Sequence, residues 1–542
     1  MADYNQQQYG GTAASYYRPP QGGAQQNEAK PSYYASQEQQ GMSMQNMPYQ
    51  PPQYGEQQQY DNQQAYGNGQ PPNKQDFHQT FRPEGSKYKD IWAALLFVLV
   101  FAGFVAVSGL SLYGYSATKG QQGGGIYGDA SDVGLNTNTI ILFAFVLLVA
   151  FVLSLLYFWV VRSFTKQIIY ITGILQIVFG IGTAIVYFAR HYYSAAIVFL
   201  IFAIFYIICF ISWIPRIPYS VLMLQTVIDV SKRYGHVFVV SLVGGIVATA
   251  FGAWFSVTLV AIYAKYEPGS AACNAGGGGC STAKVIGLVV FATFAAYWIS
   301  EVIKNIMHVT ISGVYGSWYF YSQKPTGIPR GATRGAFKRA MTSSFGSICF
   351  GSLIVAIIQF LRQAASVAQQ ESAQQGNFVG EILFCLLQCL LSLLDWAVQF
   401  INEYAFSYIA LYGKAYIAAS KSTWHMIKDR GMDALINECL INPILTMGAV
   451  FVAYVCAFLA YLYVEFTKPA YNSTGSFTPV IMAFAFLIGL QIANVFLVPI
   501  KSGIATFFVA MAFDPEVLVK EYPSLWQELV RVYPKVQQAV HC

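Results

Sequence analysis

The sequence predicts an all-α polytopic integral membrane protein with about ten transmembrane helices and a disordered N-terminal tail. Three observations carry that reading. Hydrophobic residues make up 55% of the 542 and charged residues only 10%, against about a quarter charged in an ordinary soluble protein. Mean hydropathy is +0.44. Apolar runs recur from Ile91 to Met511, and about 20 apolar residues suffice for one helical crossing of a bilayer.

Residues 1–88 are a different material, a Gln/Tyr/Pro/Gly-rich tract typified by Tyr4-Asn5-Gln6-Gln7-Gln8-Tyr9 and Pro51-Pro52-Gln53-Tyr54-Gly55. Such a tract buries too little apolar surface to offset the entropy of ordering, so it reads as a disordered cytoplasmic tail. It has neither the charged start nor the early apolar core of a signal peptide, which makes the first span the targeting signal as well. A ten-span domain is expected over 89–513 and a cytoplasmic C-terminal tail over 514–542.

Within the domain the first four spans are expected at about Ile91–Tyr113, Thr139–Val161, Gln167–Ala189 and Ala195–Ile214. Between Pro215 and Gly235 the spacing of Val221, Leu222, Leu224, Val227 and Ile228 predicts an amphipathic helix lying on the membrane surface. The fifth span covers about His236–Tyr263. The sixth, apolar from Val285 to Phe320, would run about 54 Å against a hydrocarbon core of about 30 Å. It must therefore project past the bilayer or break, with Gly313 or Gly316 as the place. The seventh span follows at about Ser344–Ala365 and an overlong eighth at about Gly380–Tyr412. One or two interfacial helices are expected between Lys414 and Asn442, then spans at about Ile444–Val464 and Thr478–Met511, the last with Pro499 and Lys501 inside it.

Charge sidedness orients the chain. With both termini in the cytosol, twenty Lys and Arg flank the inner ends of the spans and six fall in the outer loops, the bias that the positive-inside rule requires. Cys273 and Cys280 then lie outside as a possible disulfide, in a compartment where one persists. Asn472, in Asn472-Ser473-Thr474, falls outside as well and is the expected glycosylation site of a glycoprotein.

Chemistry-bearing motifs are missing. There is no HExxH, GxSxG or GxxxxGK[ST], the six histidines have no metal spacing, and the small net charge of +6 argues against nucleic-acid binding. The reading is therefore no enzyme, no metal and no cofactor. What remains is a set of costly polar groups at membrane depth: Glu301, Lys304, Asn305, Asp395, Asn402, Glu403 and Lys501. Glu301 and Lys304, three apart, share a helix face, so one reading makes them a structural ion pair. The other reading is a substrate-binding site of Trp298, Glu301, Asn305, Asp395, Asn402, Glu403, Tyr404 and Tyr408. Carboxylates among aromatic faces suit a poorly hydrated organic cation.

Several stretches resemble the choline transporter-like family. They are Tyr297-Trp298 through Asn305 to Gly313 and Gly316-Ser317-Trp318-Tyr319-Phe320, and Gly346-Ser347-Ile348-Cys349-Phe350-Gly351-Ser352. To these add Cys385-Leu386-Leu387-Gln388-Cys389, Asn402-Glu403-Tyr404-Ala405-Phe406-Ser407-Tyr408, Gly413 to Ser420, and Asp514-Pro515-Glu516. The resemblance spans about residues 85–535. The Gln/Tyr/Pro-rich tail and the short first outer loop, which lacks cysteine, look like the family's fungal pH-nine-sensitive branch. The resemblance implies a ten-span plasma-membrane protein that transports choline or another small organic cation through the lipid bilayer. The expectation drawn from the polar groups at membrane depth is transport by alternating access, with a site between the sixth, eighth and tenth spans. The competing expectation is a non-transporting membrane scaffold or regulator that acts through partners of its cytoplasmic tail.

Overall fold

The computed structural model describes residues 88–117, 137–189, 191, 193–266, 268, 280–429, 436, 439–467 and 478–537. Residues 1–87, Cys273 and Asn472 lie outside them. Among the described residues there is no β-strand, and ten stretches are long and apolar enough to cross a membrane. The chain is thus an all-α, multi-pass membrane protein, as its composition predicts.

In chain order the helices are α1 (Ile91–Ala117), α2 (Thr137–Ser163), α3 (Thr165–Ala189), α4 (Tyr193–Trp213), α5 (Ile217–Arg233), α6 (His236–Tyr266) and α7 (Thr282–Tyr321). Then come α8 (Ala332–Met341), α9 (Phe345–Gln374), α10 (Phe378–Tyr412), α11 (Tyr416–Asp429), α12 (Ile441–Thr467), α13 (Thr478–Phe513), α14 (Pro515–Glu521) and α15 (Pro523–Val532). Two of them organise the rest. α7 packs against α1, α6, α8, α9, α10 and α13, and α13 packs against α2, α5, α6, α7, α10 and α12. Their positions show in their sequences. Along α13 even Ala505, Phe508, Val509, Ala510 and Met511 in succession are buried, since a helix surrounded by others has no face to leave polar. α4, at the rim, leaves Ile201, Phe202, Phe205, Ile208 and Ile211 uncovered by protein, the surface a bilayer covers.

Three details differ from the sequence-based expectation or sharpen it. First, α7 does not break: all 40 residues form one helix, about 60 Å long at 1.5 Å each. Its Gly313 serves close approach rather than bending, because a Cβ there would meet the Ala336 methyl of α8 at 2.7 Å. Second, α5 forms as expected but is not laid on lipid. Its apolar stripe of Leu222, Leu224, Val227 and Ile228 is buried in the main core, and the Tyr315 hydroxyl of α7 donates to the Val227 carbonyl at 3.0 Å. Third, α13 continues through Pro499. Proline removes one donor from the ladder, and the Ser241 hydroxyl donates to the nearby Phe496 carbonyl at 3.4 Å.

The described segments before α1 and after α13 lie at the same end of the bundle, called here the terminus side. Asp90, just before α1, accepts from the Ser347 hydroxyl at 2.6 Å and from the Tyr416 amide at 2.9 Å. Its carboxylate thereby sits at the positive N-terminus of α11. The Lys89 amide donates to Ser343 O at 3.2 Å. Residue 346 must be glycine for this contact, since a Cβ would lie 2.2 Å from the Lys89 carbonyl oxygen and 2.4 Å from that of Asp90. Gly346→Ala is expected to push α1 off α9 and destabilise the protein by about 1–3 kcal/mol, read as a lowered melting temperature in detergent. An unchanged melting temperature would mean that α1 is not anchored there.

The segment after residue 513 is not a loose tail. The Tyr412 hydroxyl donates to Asp514 Oδ2 at 2.6 Å and the Tyr319 hydroxyl to Asp514 O at 2.9 Å. The Tyr522 hydroxyl donates to Trp318 O at 2.8 Å and pairs with the Ser322 hydroxyl at 2.6 Å. Burial holds the Tyr522 phenol above its ordinary range, so it stays a donor across physiological pH. α14 and α15 are thereby strapped over the ends of α7 and α13.

Candidate functional site

α7 carries polar residues at Glu301, Asn305, His308 and Ser312, spaced four, three and four, which puts them on one helix face. α10 adds Glu403 and Ser407, and α13 adds Lys501, Ser502 and Thr506. Because these helices pack on one another, the stripes converge about two thirds of the way along α7.

The centre of the convergence is His308, which is buried. Its Nδ1 lies 2.7 Å from the Ser502 hydroxyl. Its Nε2 lies 2.9 Å from the Glu403 carbonyl oxygen and 3.1 Å from the Ser407 hydroxyl. Ser407 in turn is 3.4 Å from Ser312 and 3.5 Å from Thr506. One imidazole thus joins α7, α10 and α13 through polar contacts, which inside a membrane are groups that must be satisfied by protein.

Around this core lie four charges. Lys304 Nζ is 2.7 Å from Glu301 Oε2, and the Gln359 amide donates to Glu301 Oε1 at 3.5 Å. Glu403 accepts from the Asn442 amide at 3.3 Å on both oxygens. The ammonium groups of Lys501 and Lys304 both act electrostatically on Glu403. Two carboxylates face two lysines, so the set is formally neutral. Glu403 and Lys501 lie deep in the protein, yet each keeps an intermediate share of its surface accessible. Glu403 is thus a largely buried carboxyl group with part of its surface still reachable. Beside it the Asn442 Oδ1 acceptor is buried without a hydrogen-bond partner among the described residues. Chemically, the arrangement offers a carboxyl group and a free amide oxygen to a cation, with the Lys501 ammonium close enough to act on that carboxyl.

The other sequence-derived candidates are placed elsewhere. Trp298 is fully buried, donates from Nε1 to the Cys349 carbonyl at 3.0 Å, and packs edge-on to Phe97 with ring centres 5.4 Å apart. It faces α1 and α9. Asn305 donates to Ser352 Oγ at 2.9 Å, and Asn402 donates to Gly351 O at 3.2 Å while accepting from the Tyr416 hydroxyl. Both asparagines therefore stitch α7 and α10 to α9. Asp395 pairs with Arg362 at 3.4 Å and accepts from Gln399 at 2.9 Å, about 12 Å along α10 from Glu403 at 1.5 Å per residue. Tyr404 is buried against Phe400, ring centres 5.3 Å apart, and Tyr408 packs on Tyr412 and Phe513 at 4.5 and 4.9 Å. Cys280 is disulfide-bonded.

Of the predicted residues, the structure brings Glu301, Lys304 and Glu403 into one electrostatic cluster. His308, Ser407, Asn442, Lys501, Ser502 and Thr506 complete it without having been chosen as site residues. Their signal was present as matched four-residue spacings, Glu403–Ser407 and Ser502–Thr506. Among the described residues no group of three or more His, Cys, Asp or Glu could hold a metal ion.

The chain is similar to known proteins along most of its length. The family model described as "plasma-membrane choline transporter" matches residues 197–516, which covers α5 to α13 and every residue of the cluster. Protein PNS1 of Gibberella zeae is 60% identical over 467 residues, covering 86% of each chain. Protein pns1 of Aspergillus fumigatus is 58% identical, covering 86% of this chain and 87% of its own. Protein PNS1 of Saccharomyces cerevisiae is 44% identical over 83% of this chain and 84% of its own. A family match over more than half the chain, with relatives this similar along most of their length, leaves one conclusion: the chain belongs to the choline transporter-like family, a family of membrane transporters, in the branch of the fungal PNS1 proteins.

Proposed function

We propose that the chain carries a small organic cation, choline or a related amine, across the plasma membrane by alternating access. Its site is the α7–α10–α13 crossing, with Glu403 as the anionic partner of the substrate. The observation that supports this most is Glu403 itself, a carboxylate deep in the bundle with accessible surface and with Lys501 in its field. A purely structural charge would be paired and sealed. The substrate class comes from the family, whose matching model is described by choline transport. Lys501 acts as a resident cation that keeps the empty site neutral, and the arriving amine takes over its carboxylate. The aromatic seal of Tyr408, Tyr412 and Phe513 closes the site toward the terminus side.

The test is uptake of labelled choline by the full chain reconstituted in proteoliposomes. Saturable uptake, competed by related amines, is the expected result. No uptake of any amine would remove the transport reading and leave a scaffold or regulator acting through the tail.

The orientation belongs to the same proposal, with both termini cytoplasmic. Cysteines placed at Arg334 or Lys428 are expected to stay silent to an impermeant thiol reagent on intact cells, and Asn472 is expected to carry glycan. Labelling at either cysteine would reverse the orientation.

A further inference from the structure

We infer that α8 is a docking surface for anionic phospholipid headgroups in the leaflet at the terminus side. One face of this ten-residue helix is buried on α7 through Ala332, Gly335, Ala336 and Ala340. Ala336 meets α7 at Gly313, eight residues and about 12 Å along the axis from the terminus-side end of that helix at Tyr321. The other end of α8 sets its level. α9 begins four residues after α8 ends, and the Lys89 amide at the foot of α1 bonds Ser343 between them. α8 therefore lies where hydrocarbon gives way to headgroups.

Its composition matches that place. From Ser322 to Ser344 there are five basic residues, Lys324, Arg330, Arg334, Lys338 and Arg339, and no acidic one. Arg339 is turned inward, donating to the Ala410 carbonyl at 2.5 Å, and Lys324 sits over the Tyr321 ring. Arg330, Arg334 and Lys338 are exposed, and among the described residues none of the three has an acidic partner. On the same outward face, at spacings of three, one and three, Arg334, Phe337, Lys338 and Met341 alternate charge with apolar surface. Phe337 and Met341 are 49% and 42% exposed. Side chains of that kind insert at the acyl boundary while the neighbouring cations hold phosphate, the pattern of interfacial helices that bind anionic lipid. With the termini in the cytosol this is the cytoplasmic leaflet, the one that carries anionic lipid.

The experiment is native mass spectrometry of the full chain in detergent, titrated with phosphatidylserine or with phosphatidylcholine of the same acyl chains. Wild type is expected to retain phosphatidylserine at least tenfold better, a preference that falls as salt rises. Arg330→Gln, Arg334→Gln and Lys338→Gln together should erase it. Phe337→Ser with Met341→Ser should weaken retention of phosphatidylserine with little change in the salt dependence. A variant neutralising Lys421, Lys428 and Lys535 removes equal charge from the terminus side elsewhere and should keep the preference. Equal retention of the two lipids by wild type would overturn the proposal. So would an equal loss in the control variant, which would point to diffuse charge rather than to α8.

Discussion

Glu403→Gln is expected to reduce choline uptake at low substrate by about a thousandfold while the protein still reaches the membrane. A carboxylate and an ammonium 4 Å apart attract by about 4 kcal/mol at an effective dielectric constant near 20, and that energy corresponds to about three decades in affinity. Glutamine keeps the shape and an acceptor oxygen for the Asn442 amide, so the cost to folding is smaller, on the order of 1–3 kcal/mol. Glu403→Asp keeps the charge one methylene back and should lose less. Lys501→Met is the informative opposite. It removes the resident cation that acts on Glu403, so the affinity for choline should rise even where turnover falls. Equilibrium binding to purified protein and uptake by vesicles separate the two effects. Unchanged uptake by Glu403→Gln, or weaker binding by Lys501→Met, would remove Glu403 from the site.

Much of the fold was legible because membrane helices declare themselves by long apolar runs, and Pro215 marked the end of α4. What a single glycine does was not legible. Gly313 and Gly316 inside an overlong helix are compatible with a bend or with a close neighbour, and only the Ala336 methyl against Gly313 shows which. The same limit applied to α5. Its stripe announced a partner for an apolar face, but lipid and protein ask for the same residues there, and the core on α13 was the partner. At the site, helical spacing gave the face of each residue and not the neighbour opposite. Asp395 and Asn402 are seven apart on one face of α10, yet one meets Arg362 and the other meets Gly351 and Tyr416. His308 looked like one of six scattered histidines, and only the crossing of three helices gives its two nitrogens Ser502, Ser407 and the Glu403 carbonyl.

Trp298 is where the structure changes an expectation most, and its prediction follows from packing. As an aromatic face for a cation it would tolerate Trp298→Ala with intact folding and weakened binding. Its side chain is instead fully buried against Phe97 and Phe294, and its indole N–H donates to the Cys349 carbonyl near the start of α9. Trp298→Ala therefore opens a cavity at the α1–α7–α9 junction and is expected to cost about 3–5 kcal/mol, seen as a large drop in melting temperature and in the amount reaching the membrane. Trp298→Phe refills most of the cavity but gives up the indole donor, for a loss of about 1–3 kcal/mol. Whatever fraction of either variant folds should bind choline as wild type does, because the residue touches none of His308, Glu403 or Lys501. Choline affinity measured on the folded fraction decides the matter. A Trp298→Ala protein that is stable but binds choline weakly would return Trp298 to the site and place the substrate on the α9 side of α7.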